Sequence, residues 1–248
     1  MFDLEGKIVI ITGASSGIGA ALAQGFSRAG ARVVLAARRK QKLEMVAAEC
    51  PGDHLSVEAD VTDPQGRRDI LQKTLERWGR LDILVNNAGI GAYGHFLDTT
   101  EAEWRRLFEI NLFAPVLLTG EALKIMLNQG AGLIINLASL GGLLAHADKV
   151  AAYVASKHAL LGFSRGLARD LAGTGIRVLA VCPHLTATEF FSASGGAEEL
   201  APEVKKYQGF MDSPEEVARG ILDQLDASRL VVFPTDKPAR AYAKQKDL

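Results

Sequence analysis

Tyr153 and Lys157 stand four residues apart in A-A-Y-V-A-S-K-H-A-L-L-G-F, a spacing that puts both on one helix face. A phenol beside an ammonium is a device for moving a proton, because the cation favours the ionised phenol. Spacing alone does not decide, since Tyr242 and Lys246 repeat it near the C-terminus. Only the first pair has a site around it. Ser139, fourteen residues earlier, ends the apolar run L-I-I-N-L-A-S, whereas the second pair follows Pro238 in a polar tail. A free phenol, with pKa about 10, is a poor base at neutral pH. An ammonium about 4 Å away contributes on the order of 4 kcal/mol at an effective dielectric of about 20. That would lower the phenol pKa by up to about 3 before desolvation subtracts. The competing reading is a core tyrosine with a lysine reaching for solvent.

A second cluster lies at the other end of the chain. T-G-A-S-S-G-I-G, residues 12 to 19, follows an apolar strand and opens a helix near Ile18. Gly13, Gly17 and Gly19 permit a tight turn and a close approach of backbone to a ligand. The helix start offers free N–H groups and its positive dipole end to a phosphate. The position, between the first strand and the first helix, is where dinucleotide folds seat the pyrophosphate.

The elements that must position these groups alternate along the whole chain. Candidate strands are Lys7–Thr12, Arg32–Ala37, His54–Glu58, Ile83–Val85, Leu133–Ala138, Arg177–Val181 and Leu230–Phe233. Their nearly continuous apolar character suits strands buried on both faces. Helical stretches fall between them, among them Ile18–Ala29, Pro64–Trp78, Glu101–Leu127, Ala151–Leu171 and Pro214–Leu225. Asp63-Pro64 and Ser213-Pro214 each read as an N-cap followed by proline at the first helical position. The expectation is an α/β fold: one doubly wound Rossmann-type domain over residues 1–248, with a mostly parallel seven-stranded sheet and helices on both faces. Open parallel sheets bind ligands beyond the carboxyl ends of their strands, where Ser139 falls. Residues 186–212, with Gly195-Gly196 and Phe190-Phe191, read as a mobile or helical lid over the substrate. Residues 234–248 read as a Lys-rich tail, partly disordered and without function.

Bulk properties exclude several classes. A net charge of -1 and a hydrophobic share of 48 % give no basic surface for nucleic acid. No apolar run approaches the roughly 20 residues of a membrane helix, and no signal peptide is read at the start. Cys50 and Cys182 lie far apart in apolar segments, as reduced thiols would, and no His/Cys cluster suggests a metal. The expected location is the cytoplasm, with no metal, no nucleic acid and no membrane as partner.

The pattern T-G-x-x-x-G-x-G resembles that of the short-chain dehydrogenase/reductase family. Asp60-Val61, Asn86-Asn87-Ala88-Gly89, Asn111, Ser139, Tyr153 and Lys157 also fall where that family's motifs belong. The resemblance implies hydride transfer between a nicotinamide cofactor and a carbonyl or secondary alcohol. Tyr153 would be the general acid/base, Ser139 would hold the substrate oxygen, and Lys157 would bind the nicotinamide ribose and depress the phenol pKa. Gly13, Ser15, Ser16, Gly17, Ile18 and Gly19 would carry the cofactor phosphates, Asp60 and Val61 would flank the adenine, and Asn87, Ala88 and Gly89 would shape the sheet beside it. The family's asparagine anchors a relay water, and Pro115, lacking an N–H, frees the Asn111 carbonyl for that use. An exposed, idle asparagine is the competing reading.

The second strand ends V-V-L-A-A-R-R-K, so Ala37 stands where NAD enzymes of this fold place an acid for the ribose 2′-OH. Arg38 and Arg39, with Lys40, oppose a helix dipole unless a 2′-phosphate lies between them, and Ser15 could add a hydroxyl. The expected cofactor is therefore NADP(H), against a merely solvated basic patch. The family's usual Pro-Gly after the sixth strand is Pro183-His184 here, and Thr186 and Thr188 are contacts for carboxamide or phosphate. His184 reads more simply as a loop residue than as a catalytic one. The pocket expected from Gly91–His95, Leu140–Leu144, His184 and the two phenylalanines is apolar, suiting a small or medium apolar carbonyl or alcohol. A homodimer or homotetramer is implied, with the helices at 101–127 and 151–171 supplying the contact. Two rivals remain: a 3-oxoacyl-thioester (acyl-carrier-protein) reductase, and a non-catalytic NADP(H)-sensing protein.

Overall fold

The computed structural model describes residues 2–145 and 147–245. Lys246, the partner of Tyr242 in the second tyrosine–lysine pair, falls outside them. Seven strands form one sheet: β1 (Ile8–Thr12), β2 (Arg32–Ala37), β3 (His54–Glu58), β4 (Ile83–Asn86), β5 (Gly132–Leu137), β6 (Ile176–Val181) and β7 (Val231–Val232). Their order is β3-β2-β1-β4-β5-β6-β7, and every pairing is parallel rather than most of them. The chain reverses direction across the sheet between β1 and β4, so a crevice opens beyond the carboxyl ends of these central strands.

Nine helices surround the sheet among the described residues: α1 (Gly17–Arg28), α2 (Lys40–Ala48), α3 (Pro64–Trp78), α4 (Glu101–Phe108), α5 (Ala114–Gln129), α6 (Ala151–Asp170), α7 (Ala197–Tyr207), α8 (Pro214–Leu222) and α9 (Asp236–Gln245). Alternate strand residues feed two cores, as a two-residue period requires. Val9, Ile11, Val33, Leu35, Val85 and Ile135 pack with Leu22 and Phe26 of α1 and with Val217 and Ile221 of α8. Ile10, Val34, Leu84 and Ile134 pack on the other side with Ile70 of α3 and with Leu118, Ala122 and Met126 of α5.

The expected caps form. Asp63 accepts hydrogen bonds from the Gln65 and Gly66 amides ahead of Pro64, and Ser213 closes a capping box with Glu216 ahead of Pro214. The stretch expected as one helix from 101 to 127 is a continuous but irregular one. A π-helical turn, Glu109–Phe113, joins α4 to α5 and puts Asn111 at its centre. Pro115 offers no N–H to the Asn111 carbonyl, which removes one i→i−4 bond and favours the wider turn.

Two sequence expectations need correction here. The tail folds: residues 236–245 are helical, and Tyr242 packs against Phe233 with ring centroids 5.7 Å apart. The helix Glu101–Gln129 is also long and apolar enough to span a membrane, with a window of mean hydropathy 1.5. Its Leu118, Ala122 and Met126 are core side chains beneath the sheet, and that packing accounts for part of its apolar character.

Candidate active site

The glycine-rich turn after β1 is built to touch its neighbours. Gly13 has φ 66°, and a Cβ there would lie 2.9 Å from the Ala88 Cα. A Cβ on Gly19 would lie 2.4 Å from the Asn87 Nδ2. Asn87 donates from Nδ2 to the Thr12 and Gly13 carbonyls at 2.8 and 3.3 Å. The Asn87 and Ala88 amides both donate to Thr12 Oγ1 at 3.0 Å. Residues 12–19 and 86–89 are thus stitched together across the end of β1 and β4. Thr12, given no role from sequence, is the centre of that stitch.

Behind it runs a buried polar line. Asn86 Nδ2 donates to Asn136 Oδ1 at 2.8 Å and to Thr119 Oγ1 at 2.9 Å. Asn136 Nδ2 donates to Ser164 Oγ at 2.8 Å, tying β4, β5, α5 and α6 together. Asn111 clasps the backbone of Ile90, accepting from its amide and donating to its carbonyl at 2.9 Å each. Its Nδ2 also reaches Ser156 Oγ at 3.1 Å.

A cavity of about 900 Å³ runs from the glycine-rich turn to Tyr153. All the sequence-nominated residues line it except two: Ser15, Ser16, Gly17, Ile18, Arg38, Arg39, Asp60, Val61, Ala88, Gly89, Ser139, Lys157, Pro183, Thr186 and Thr188 are present with Gly13, Asn87 and Tyr153. Gly19 instead faces Asn87, where it allows the close approach. Asn111 sits behind Gly89, whose Cβ would meet Asn111 Oδ1 at 3.2 Å and Lys157 Nζ at 3.5 Å. Of the expected pocket, Gly91, Ala92, Tyr93, Leu140, His184, Phe190 and Phe191 line the cavity, while Gly94, His95 and Gly141–Leu144 do not. Among the lining residues not named from sequence, Leu200, Val204 and Tyr207 of α7, with Phe210 and Met211, come from the segment read as a lid, and Ala241 comes from the tail. α7 was legible only as a helical segment, and Ala241 carries no signal at all.

The Ser139 hydroxyl hydrogen-bonds the Tyr153 phenol and accepts from the Gly141 amide at 3.0 Å. Lys157 is buried, and its Nζ donates to the Leu137 carbonyl at 2.8 Å while lying 5.9 Å from the Tyr153 ring centroid. The electrostatics differ from expectation. Burial pushes the phenol up to about 12, against a smaller lowering by Ser139. Burial likewise brings the Lys157 ammonium down to about 8. Desolvation outweighs the cation, because the ammonium points at a carbonyl rather than at the phenol oxygen. Cys50 and Cys182 are free and buried, and burial pushes the Cys182 thiol up to about 12.

At the far end, Arg39 donates to Ser15 Oγ at 3.1 and 3.3 Å and to Ser16 Oγ at 2.6 Å. Its Nη1 and the Lys42 Nζ meet the two carboxylate oxygens of Glu189 at 2.8 and 2.5 Å. Those two hydrogen-bonding cations hold the Glu189 carboxyl below its ordinary value. Arg38 lies 3.7 Å from Asp60. Burial alone would raise Asp60, but hydrogen bonds from Thr62 and the Arg38 charge bring it below the ordinary range.

The segment 186–212 is fastened at several points rather than loose. Thr186 bridges to Asp212, Ala92 to Gly195, and the Tyr93 amide donates to the Gly195 carbonyl at 2.9 Å. Phe190 meets Tyr153 edge-on, with ring centroids 5.8 Å apart. The residues present fit a dinucleotide: a glycine cradle that a Cβ would fill, a helix N-terminus above it, and a long cavity ending at a phenol.

Comparison with known proteins agrees with that geometry. The short chain dehydrogenase family matches residues 7–199. A meso-2,3-butanediol dehydrogenase of Serratia marcescens is 37 % identical over 218 residues, covering 86 % of this chain and 85 % of its own. The human 15-hydroxyprostaglandin dehydrogenase [NAD(+)] is 32 % identical, covering 92 % of this chain and 89 % of its own. Among solved structures, a short-chain dehydrogenase from Streptomyces avermitilis superimposes with a TM-score of 0.87 at 35 % identity, over 98 % of this chain and 93 % of that one. The chain belongs to the short-chain dehydrogenase family, whose members are oxidoreductases acting on CH–OH and C=O groups.

Proposed function

We propose that this protein is an NADP(H)-dependent reductase of apolar ketones or aldehydes, working as a cytoplasmic homo-oligomer. The observation that carries the reading is the single cavity joining the Ser139–Tyr153 hydrogen bond at one end to the Arg39–Ser15–Ser16 cluster at the other. Bound there, the nicotinamide would supply or accept the hydride. Gly13, Gly17 and the α1 amides hold the cofactor phosphates. Ser139 and Tyr153 donate hydrogen bonds to the substrate oxygen, and Tyr153 then gives up its proton to it. Lys157 restores charge balance beside the phenolate. Asn111 fixes Ile90 and hence the loop that the cofactor lies against.

Burial pushes the Tyr153 phenol up to about 12, so in the ligand-free site it carries the proton that reduction of a carbonyl delivers to the substrate oxygen. NADP(H) is favoured by the absence of an acid at Ala37 and by two arginines and Ser15 at the end of β2. Substrate class is supported by the lining beyond Tyr153, where Leu140, Phe190, Leu200, Val204 and Met211 are apolar. A partner copy is supported by Phe113 and Leu117, which are 48 % and 45 % exposed one turn apart.

The test is NADPH consumption at neutral pH across apolar aldehydes, ketones and diketones, beside Tyr153→Phe. Turnover is expected to fall by about 10²- to 10⁴-fold in the variant while NADPH binding is kept. Equal rates in the two proteins would sink the mechanism.

A further inference from the structure

In the segment that crosses the cavity, Glu189 has both of its carboxylate oxygens taken by cations from the far side of the cleft. One is Arg39. The other is Lys42, in the first turn of α2, a residue that the site described so far does not use. α2 has no acidic residue in its first turn and no side-chain cap. Cations at a helix N-terminus are unfavourable and call for an anion nearby. Glu189, about 150 residues downstream, is that anion in this structure. Its neighbour Thr188 presses on the phosphate turn, since a Cβ on Gly17 would lie 2.9 Å from Thr188 Cγ2.

From this we infer that Glu189 is a cofactor-specificity residue: it serves as an internal anion on the Arg39–Lys42 pair, and the 2′-phosphate of NADP(H) must displace it. The inference rests on the NADP(H) reading and deepens it by adding Lys42 and Glu189 to the nucleotide site. Arg39 already spends its remaining N–H groups on Ser15 and Ser16, so the fork facing Glu189 is the one a phosphate would claim. A phosphate of nearly two negative charges and the carboxylate repel one another, so one leaves as the other arrives. A cofactor without the phosphate leaves both ion pairs intact. By linkage, phosphate binding also loosens the segment that Glu189 fastens.

The experiment needs no turnover. Calorimetric titration of the full chain with 2′,5′-ADP and with 5′-ADP is run on the wild type and on Glu189→Gln. The variant is expected to bind 2′,5′-ADP about fivefold more tightly, the worth of one or two exposed ion pairs, and 5′-ADP within about twofold of wild type. Hydrogen exchange of the amides at 188–194 should be faster in ligand-free Glu189→Gln, and wild type saturated with 2′,5′-ADP should approach that rate. A wild type that prefers 2′,5′-ADP, together with a variant whose affinity is unchanged or weaker, overturns the role of Glu189 and leaves the NADP(H) reading standing. A wild type indifferent to the 2′-phosphate overturns both.

Discussion

Lys157 is the residue whose state depends most on its surroundings. Its ammonium is buried against the Leu137 carbonyl and titrates near 8, below the ordinary 10.5 of a lysine. Between those two values the unfolded chain holds the extra proton, so folding stability rises with pH across about 8 to 10.5. Carbon-13 NMR of the lysine ε positions in the ligand-free protein should show one lysine titrating near 8, and this signal should vanish in Lys157→Met. A spectrum in which every lysine titrates near 10.5 would refute the burial argument. The residues themselves were readable in advance. Tyr153, Lys157 and Ser139 are an identity at a spacing, and so are the glycines of the first turn. Their titration was not, because it depends on which way an ammonium points and how much water surrounds a phenol. The sequence-based estimate had the cation winning; a hydrogen bond to a carbonyl and the loss of solvent reversed it.

At the scale of elements, the strands and the capped helices were legible because each carries its own punctuation. The start of α2 was legible in the cations that oppose its dipole, but its extent was not, since it buries only Leu43 and Ala47. α9 was mistaken for a loose tail because its fastening is tertiary. Asp212, with a side chain only 4 % exposed, takes Lys237 at 2.8 Å and Thr235 at 2.7 Å. Those contacts dock the helix beside the cavity that Ala241 lines. Replacing Lys237 by Met leaves a buried carboxylate with half its partners. Urea unfolding of Lys237→Met should show a loss of about 1 kcal/mol, the lysine end being half-exposed. Substrate KM should rise more than that for NADPH, because Asp212 fastens the substrate end of the 186–212 segment. Unchanged stability and KM would mean that α9 rests on the surface without holding it.

Among the described residues, Phe113 and Leu117 form an apolar patch outside the cores. They lie on the helix whose other side, through Leu118 and Ala122, is packed under the sheet. A helix with apolar residues on both sides has a second surface to cover, and a second copy of the chain is the proposed cover. Sedimentation of Leu117→Arg should show a smaller species than wild type. A wild-type monomer, or an assembly that tolerates the arginine, would count against this face.

The order of the strands carries a consequence in time. Because every pairing is parallel, each strand waits for a helical crossover before it finds its neighbour, and β1 must receive β4 from the far side of α3. The nucleotide cleft draws on turns as distant as residues 13 and 188, so no fragment of the sheet contains it. A chain diluted from denaturant should therefore recover helical circular dichroism early and binding of 2′,5′-ADP only in its slowest phase. Nucleotide binding then acts as a clock for the final closure of the sheet.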